Sequence, residues 1–207
     1  MRTAILASQN KKKIKEIRAI LVKYDMDVIT RDDAGLPKDD IEETGTTFEE
    51  NSLLKAATIM DMIKADPALC DKYHDSPVIA DDSGLMVDAL GGDPGVRSAR
   101  YAGEEHDYDA NNTKLLAELK DVPDDKRAAH FVTVITMIYP DGRKLVARGE
   151  CHGHIPREKR GEGGFGYDPV FVPDGYNKSF AELGTDFKNT ISHRARALEE
   201  LERMLEQ

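Results

Sequence analysis

Carboxylates in two short segments are the first residues of this sequence able to do chemistry. Asp81-Asp82-Ser83-Gly84 follows Pro77-Val78-Ile79-Ala80, which reads as a short buried strand ending at the aspartates. That places the pair where α/β proteins gather ligands, beyond the carboxyl end of a strand. Neighbouring side chains on an extended chain point to opposite faces, so one of the two aspartates is expected to face a site. A turn closed by capping aspartates accounts for the same residues equally well. Glu42-Glu43, ahead of Thr44-Gly45, offers a second carboxylate or a solvated loop. Oxygen donors with no Cys or His cluster beside them suit Mg2+ better than zinc. Cys151-His152-Gly153-His154 has no complementary ligand pair at a zinc-like spacing and reads as an ordinary strand end.

Cationic side chains gather at two places. Lys11, Lys12, Lys13 and Lys15 open a segment with apolar residues at Ile14, Ile17, Leu21 and Tyr24, a helical spacing. Cations there oppose the helix dipole unless an anion binds; a solvated charge run is the competing account. Lys188 and Ser192-His193-Arg194 form a second cluster, the latter opening a helix with apolar Ala195, Leu198, Leu201 and Leu205. It suits an anion or a keto oxygen, or else a capping serine beside solvated bases. Gly161-Glu162-Gly163-Gly164-Phe165-Gly166 matches GxGxxG by letter. Charged residues 157–160 precede it and Tyr167-Asp168-Pro169 discourages a helix after it, so a dinucleotide fingerprint is rejected. No GxxxxGK followed by Ser or Thr occurs. Together these clusters suggest a Mg2+-dependent phosphate site.

The elements that must position these groups alternate between strands and helices. Strands are expected at Thr3–Ala7, Met26–Ile29 and Pro77–Ala80, with a hairpin of Phe131–Tyr139 and Lys144–Glu150 around Pro140-Asp141-Gly142-Arg143. Helices are expected after Ser8-Gln9-Asn10, after a capping box of Thr47 and Glu50, over Asn111–Leu119, and after Ser192. The pattern is α/β, and no linker or repeat divides the 207 residues. Apolar residues at 40% supply a core, and charged residues reach 33%. A net charge of -10 argues against nucleic-acid or anionic-membrane partners. No apolar run approaches the roughly 18 residues of a membrane span. The apolar start is too short for a signal peptide, and two distant cysteines, Cys70 and Cys151, point to a reducing cytoplasm.

The order of motifs carries a resemblance. Ser8-x-Asn10-x-x-Lys13, Glu42-Glu43-Thr44-Gly45-x-x-Phe48-x-Glu50-Asn51, Ala80-Asp81-Asp82-Ser83-Gly84-Leu85, Gly91-Gly92-x-Pro94-Gly95, Gly163-Gly164-Phe165-Gly166-Tyr167-Asp168-Pro169 and Ser192-His193-Arg194 follow one another along nearly the whole chain. This series resembles the non-canonical purine nucleoside triphosphate pyrophosphatases, the inosine/xanthosine triphosphate pyrophosphatase family. The resemblance implies an elongated α/β fold of two lobes around a long mixed β-sheet, an active site in the cleft between them, and a homodimer. It implies Mg2+-dependent hydrolysis of dITP, ITP or XTP to the monophosphate and pyrophosphate, cleansing the nucleotide pool.

Carried over residue by residue, the resemblance assigns Ser8, Gln9, Asn10, Lys11, Lys12 and Lys13 to the triphosphate. Glu42 and Asp82 become the metal carboxylates, Asp82 also the proton acceptor, and Ser83 a substrate contact. Phe165, Gly166, Tyr167 and Asp168 match a nucleotide-binding segment, and Lys188, His193 and Arg194 the remaining substrate contacts. Gln9 departs from the glycine or asparagine common at its place, which affects the shape of that turn. Phe165 or Tyr167 is expected to stack on the purine, and donors at His193 and Arg194 to meet its 6-keto oxygen. Asp81 is expected to point away from the cleft, so that Asp81→Asn does much less than Asp82→Asn. A related pyrophosphatase for pyrimidine or modified-base substrates fits Phe165–Asp168 and Ser192–Arg194 less well. A nucleotide sensor without turnover is disfavoured by the presence of Lys13, Glu42, Asp82 and Lys188 together.

Overall fold

Residues 2–8, 11–37, 41–104 and 106–207 are described by a computed structural model, without the side chains of Lys11 and Lys12. Gln9, Asn10 and those two side chains, all assigned to the triphosphate, therefore lie outside the described residues. In chain order the elements are β1 (Arg2–Leu6), α1 (Lys11–Leu21), β2 (Met26–Thr30), α2 (Phe48–Ala65), α3 (Pro67–Lys72) and β3 (Val78–Val87). They continue with α4 (Tyr108–Glu118), β4 (Ala128–Ile138), β5 (Lys144–His154), β6 (Val172–Pro173), α5 (Phe180–Leu183), α6 (Thr185–Ile191) and α7 (His193–Leu205).

Among the described residues the strands form a six-stranded sheet in the order β2-β1-β3-β4-β5-β6. β1 runs parallel to β2 and to β3, whereas β5 and β6 are antiparallel, so the sheet is mixed, as expected. The chain divides into two compact units. The first comprises Met1–Asp82, Val134–Arg148 and Ala197–Gln207, the second Ser83–Thr133 and Gly149–Arg196. Each boundary falls inside a strand or helix, which is why no linker is visible in the sequence.

Strand alternation builds the first unit's core on both faces of its sheet. Ala4, Leu6, Ile79, Ile135 and Met137 pack with Ile17 and Leu21 of α1 and Ala197, Leu198 and Leu201 of α7. Ile5, Val78, Ala80 and Ile138 point the other way and pack with Ala56, Ile59, Met60 and Ile63 of α2. Each fully buried Ile or Leu contributes on the order of 2 kcal/mol from area removed from water. In the second unit Leu85, Val87, Leu115, Leu119, Phe131, Phe171 and Phe180 form a separate core.

The capping box is in place. Glu50 N–H donates to Thr47 Oγ1 at 3.1 Å and Thr47 N–H to Glu50 Oε2 at 3.2 Å. The hairpin strands are longer than expected, and their turn is closed by Tyr139 N–H donating to Arg143 O at 2.9 Å. The strand expected to stop at Ala80 instead continues through Asp81-Asp82-Ser83-Gly84 to Val87. The β1 register ends at Ile79, so the extension lies beside β4, which overrides the turn preference of those residues, and Leu85 and Val87 anchor it in the second core. No helix among the described residues is long and apolar enough to cross a membrane.

Candidate active site

In the first unit the site is organised around β3. Asp81 and Asp82 are both buried, 5% and 8% exposed, and point to opposite faces. Asp81 has the parity of Ile79 and so faces α1, where Lys13 Nζ lies 2.7 Å from its Oδ2. Asp82 has the parity of Val78 and Ala80 and so faces α2. There Asn51 Nδ2 donates to its Oδ2 at 3.2 Å, and Lys55 Nζ lies 3.4 Å from its Oδ1. Lys55 also donates to Glu43 Oε1 at 2.8 Å.

Asn51 and Lys55 are four residues apart and therefore share one face of α2. Asn51 works in two directions, since its Oδ1 accepts from Gly45 N–H at 2.8 Å. Gly45 is required by close approach: a Cβ there would stand 2.5 Å from Asn51 Oδ1 and 2.7 Å from Glu50 Cβ. The acidic segment is thereby tied to the start of α2. This brings Glu43 to Lys55, whereas Glu42, the glutamate singled out from the sequence, is exposed. Consecutive residues of an extended segment face opposite ways, which separates the two.

Burial raises the Asp82 carboxyl to about 6; Lys55 pulls it down, and Glu43 pushes it up again. Burial also works against the Lys55 charge, but Asp82 and Glu43 more than offset it and hold the ammonium above its ordinary pKa. Ser8 follows the carboxyl end of β1, where Ala7 N–H donates to Ile79 O at 2.8 Å. That end of a parallel strand is where ligand loops form in open α/β sheets.

In the second unit Asp168 holds the glycine-rich segment. Its Oδ2 accepts from Phe165 N–H at 2.9 Å, and Lys188 Nζ donates to both carboxylate oxygens at 2.6 and 2.8 Å. Gly164 sits at φ +97° with room for no Cβ, which would fall 2.6 Å from Asp168 Cβ. Asn112 Nδ2 donates to Gly166 O at 3.0 Å. Residues 161–166 form an irregular loop, consistent with the rejected dinucleotide motif.

The two aromatic residues of this loop have different fates. Phe165 is 53% exposed and packs on Tyr108, ring centroids 4.7 Å apart. Tyr167 is 4% exposed, sits in the core, and donates its hydroxyl to Ser98 O at 2.9 Å. Its ring is occupied by packing, so of the two stacking candidates only Phe165 presents a face. Ser83 Oγ and Thr133 Oγ1 share a hydrogen bond of 3.0 Å.

Ser192 caps α7, its Oγ accepting from Ala195 N–H at 3.2 Å. His193 is buried with its ring stacked 4.7 Å from Phe131, and Arg194 is half-buried. Lys188 stands on the separate helix α6, its ammonium 5.4 Å from the Phe180 ring centroid. Sequence reasoning missed Lys55 and the double role of Asn51. Their i, i+4 spacing, which places two polar side chains on one face of α2, was the available signal.

A sequence model of the Ham1 family matches residues 4–204, and the chain belongs to that family. It is 48% identical over 201 residues to the dITP/XTP pyrophosphatase of Clostridium perfringens, covering 97% of this chain and 96% of that protein. It is 44% identical over 206 residues to the dITP/XTP pyrophosphatase of Bacillus subtilis, covering 100% and 98%. The Ham1 protein structure from Staphylococcus aureus superposes with a TM-score of 0.86 at 42% identity, covering 99% of this chain and 98% of that one. That from Coxiella burnetii gives 0.87 at 38%, covering 100% and 99%.

Proposed function

We propose that this chain, a hydrolase of the Ham1 family, cleaves dITP, ITP and XTP to the nucleoside monophosphate and pyrophosphate. Water adds across the anhydride between the α- and β-phosphates, and pyrophosphate leaves. The observation that carries the reading is the buried Asp82 carboxylate, flanked by Lys55 and Asn51, in a chain so similar to proteins named dITP/XTP pyrophosphatase. A carboxyl with a pKa near 6 is ionised at neutral pH yet accepts a proton better than an ordinary aspartate. Asp82 is thus suited to orient the attacking water and receive its proton.

The donors present suit Mg2+. Asp82 and a glutamate of the Glu42–Glu43 pair supply hard oxygen ligands. Among the described residues no three His, Cys, Asp or Glu side chains converge into a complete cage. Mg2+ is held in this way in many phosphate sites, by one or two carboxylates with substrate phosphates completing the shell. When bound, it supplies neutralisation of charge on the triphosphate. Lys13 and Lys188 add cationic donors for the phosphates, with Ser8 and Ser83 as neutral ones. Phe165 offers its exposed ring to the purine, and the helix start at His193-Arg194 supplies donors for the 6-keto oxygen.

Adenine carries an amino donor where hypoxanthine and xanthine carry that oxygen, and a donor left unpaired against it can reject ATP by roughly 10⁴-fold. The reading includes a cytoplasmic homodimer that removes deaminated purine nucleotides from the pool. The test is pyrophosphate release from ITP, XTP, dITP, ATP, GTP and CTP, with and without Mg2+, repeated on Arg194→Ala. Strong preference for the first three with Mg2+, and a larger loss for ITP than for ATP in the variant, is expected. Equal rates on ATP sink the substrate assignment. Proportional losses mean that Arg194 does not read the base.

A further inference from the structure

Asp82 has its own partners on α2, and none of them accounts for its neighbour. Asp81 is equally buried on the opposite face of β3, and its carboxylate is engaged by Lys13 at 2.7 Å. The side-chain exposures of this pair are unequal, 4% for Asp81 and 21% for Lys13. The carboxylate is thus sealed beneath a lysine side chain that is itself partly exposed. A lysine in the first turn of a helix is also in an unfavourable place, facing the positive end of the dipole. A buried carboxylate beside it offsets that repulsion. It also restricts the rotamers of a flexible side chain that must otherwise be ordered when ligand binds.

We propose that Asp81 is a positioning residue for the hydrolysis: it holds the Lys13 ammonium at the start of α1, ready for the triphosphate. The Asp81-Asp82 pair then serves the reaction from both faces of one strand, Asp82 directly and Asp81 through Lys13. This adds a role to a residue for which the sequence supports only the expectation that Asp81→Asn does much less than Asp82→Asn. The inference rests on the reading of Lys13 as a phosphate contact.

A double-mutant cycle separates the two. Pyrophosphate release from ITP at saturating Mg2+ is measured for wild type, Lys13→Ala, Asp81→Asn and the double variant, with thermal midpoints by circular dichroism. Each single variant is expected to lose about tenfold or more in kcat/KM. The double variant is expected to stay within about threefold of Lys13→Ala, because Asp81 has nothing left to position. The Mg2+ concentration for half-maximal rate should not change in Asp81→Asn.

Losses that multiply in the double variant, a shifted Mg2+ requirement, or wild-type kinetics in folded Asp81→Asn each overturn the inference. Wild-type kinetics in Lys13→Ala instead removes the reading of Lys13 on which it rests. If Asp81→Asn does not fold, the cycle is run with Asp81→Glu, which keeps the charge and displaces the carboxylate by one methylene. The same non-additivity with Lys13→Ala supports the inference, and additive losses refute it.

Discussion

At Asp82 burial and charge pull in opposite directions, and both leave measurable traces. The folded carboxyl titrates at about 6 against a reference of 3.8, so folding takes up a proton between those values. In metal-free protein the stability linked to this group is full below pH of about 4 and is lost as pH rises through about 6. Asp82→Asn removes that cost. At pH 8 without Mg2+ it should be more stable than wild type by on the order of 2 kcal/mol, and the gap should close near pH 3.5. Its turnover at saturating Mg2+ should nonetheless fall at least about a hundredfold. Chemical denaturation across that pH range, with a rate assay, reads both; a folded variant with near-normal turnover refutes the role of Asp82. Protons and metal also compete for the same oxygens in wild type. Apparent Mg2+ affinity should therefore drop below pH of about 6, approaching tenfold per unit.

At the scale of elements, the start of α2 does two tasks at once. Its capping box satisfies the backbone of Thr47 and Glu50, and one turn later Asn51 reaches the acidic segment and β3 together. The position of Glu43 beside Lys55 therefore depends on the Gly45–Asn51 hydrogen bond. Gly45→Ala puts a methyl into a space of 2.5 Å and must push the segment off the helix. We expect a loss of about 1–3 kcal/mol in stability from the broken bond and the strain. A weaker Mg2+ response should accompany it, since the glutamate pair moves away from Asp82. A Mg2+ titration of the rate beside a thermal melt checks this, and an unchanged titration would show that the segment takes no part in metal binding.

On the scale of the whole molecule, three strands and one helix carry residues of both compact units. Extended backbone cannot unravel in half a strand without releasing the ladder of the other half. Unfolding is therefore expected as one cooperative transition, with coincident far-ultraviolet dichroism and tyrosine fluorescence, the chain having no tryptophan. Two separated transitions would contradict this. Legible from the residues alone are the alternation of strands and helices, the capping box at Thr47, the start of α7 at Ser192 and the order of the motifs. These are local properties: apolar periodicity, cap chemistry and turn residues act over a few neighbours, and each is visible as spacing. Only the tertiary context put Asp81 and Asp82 within a strand rather than at its end, because β4 lies beside β3 and Leu85 and Val87 anchor its extension in the second core. It decided that Lys55 joins Asp82, that Glu43 rather than Glu42 meets Lys55, and that Tyr167 is packed away while Phe165 stays exposed. Those choices depend on partners such as Asn51 for Asp82, or Ser98 for Tyr167, that lie 31 and 69 residues away along the chain. No local spacing encodes which of two adjacent carboxylates, or two nearby rings, will find the buried side.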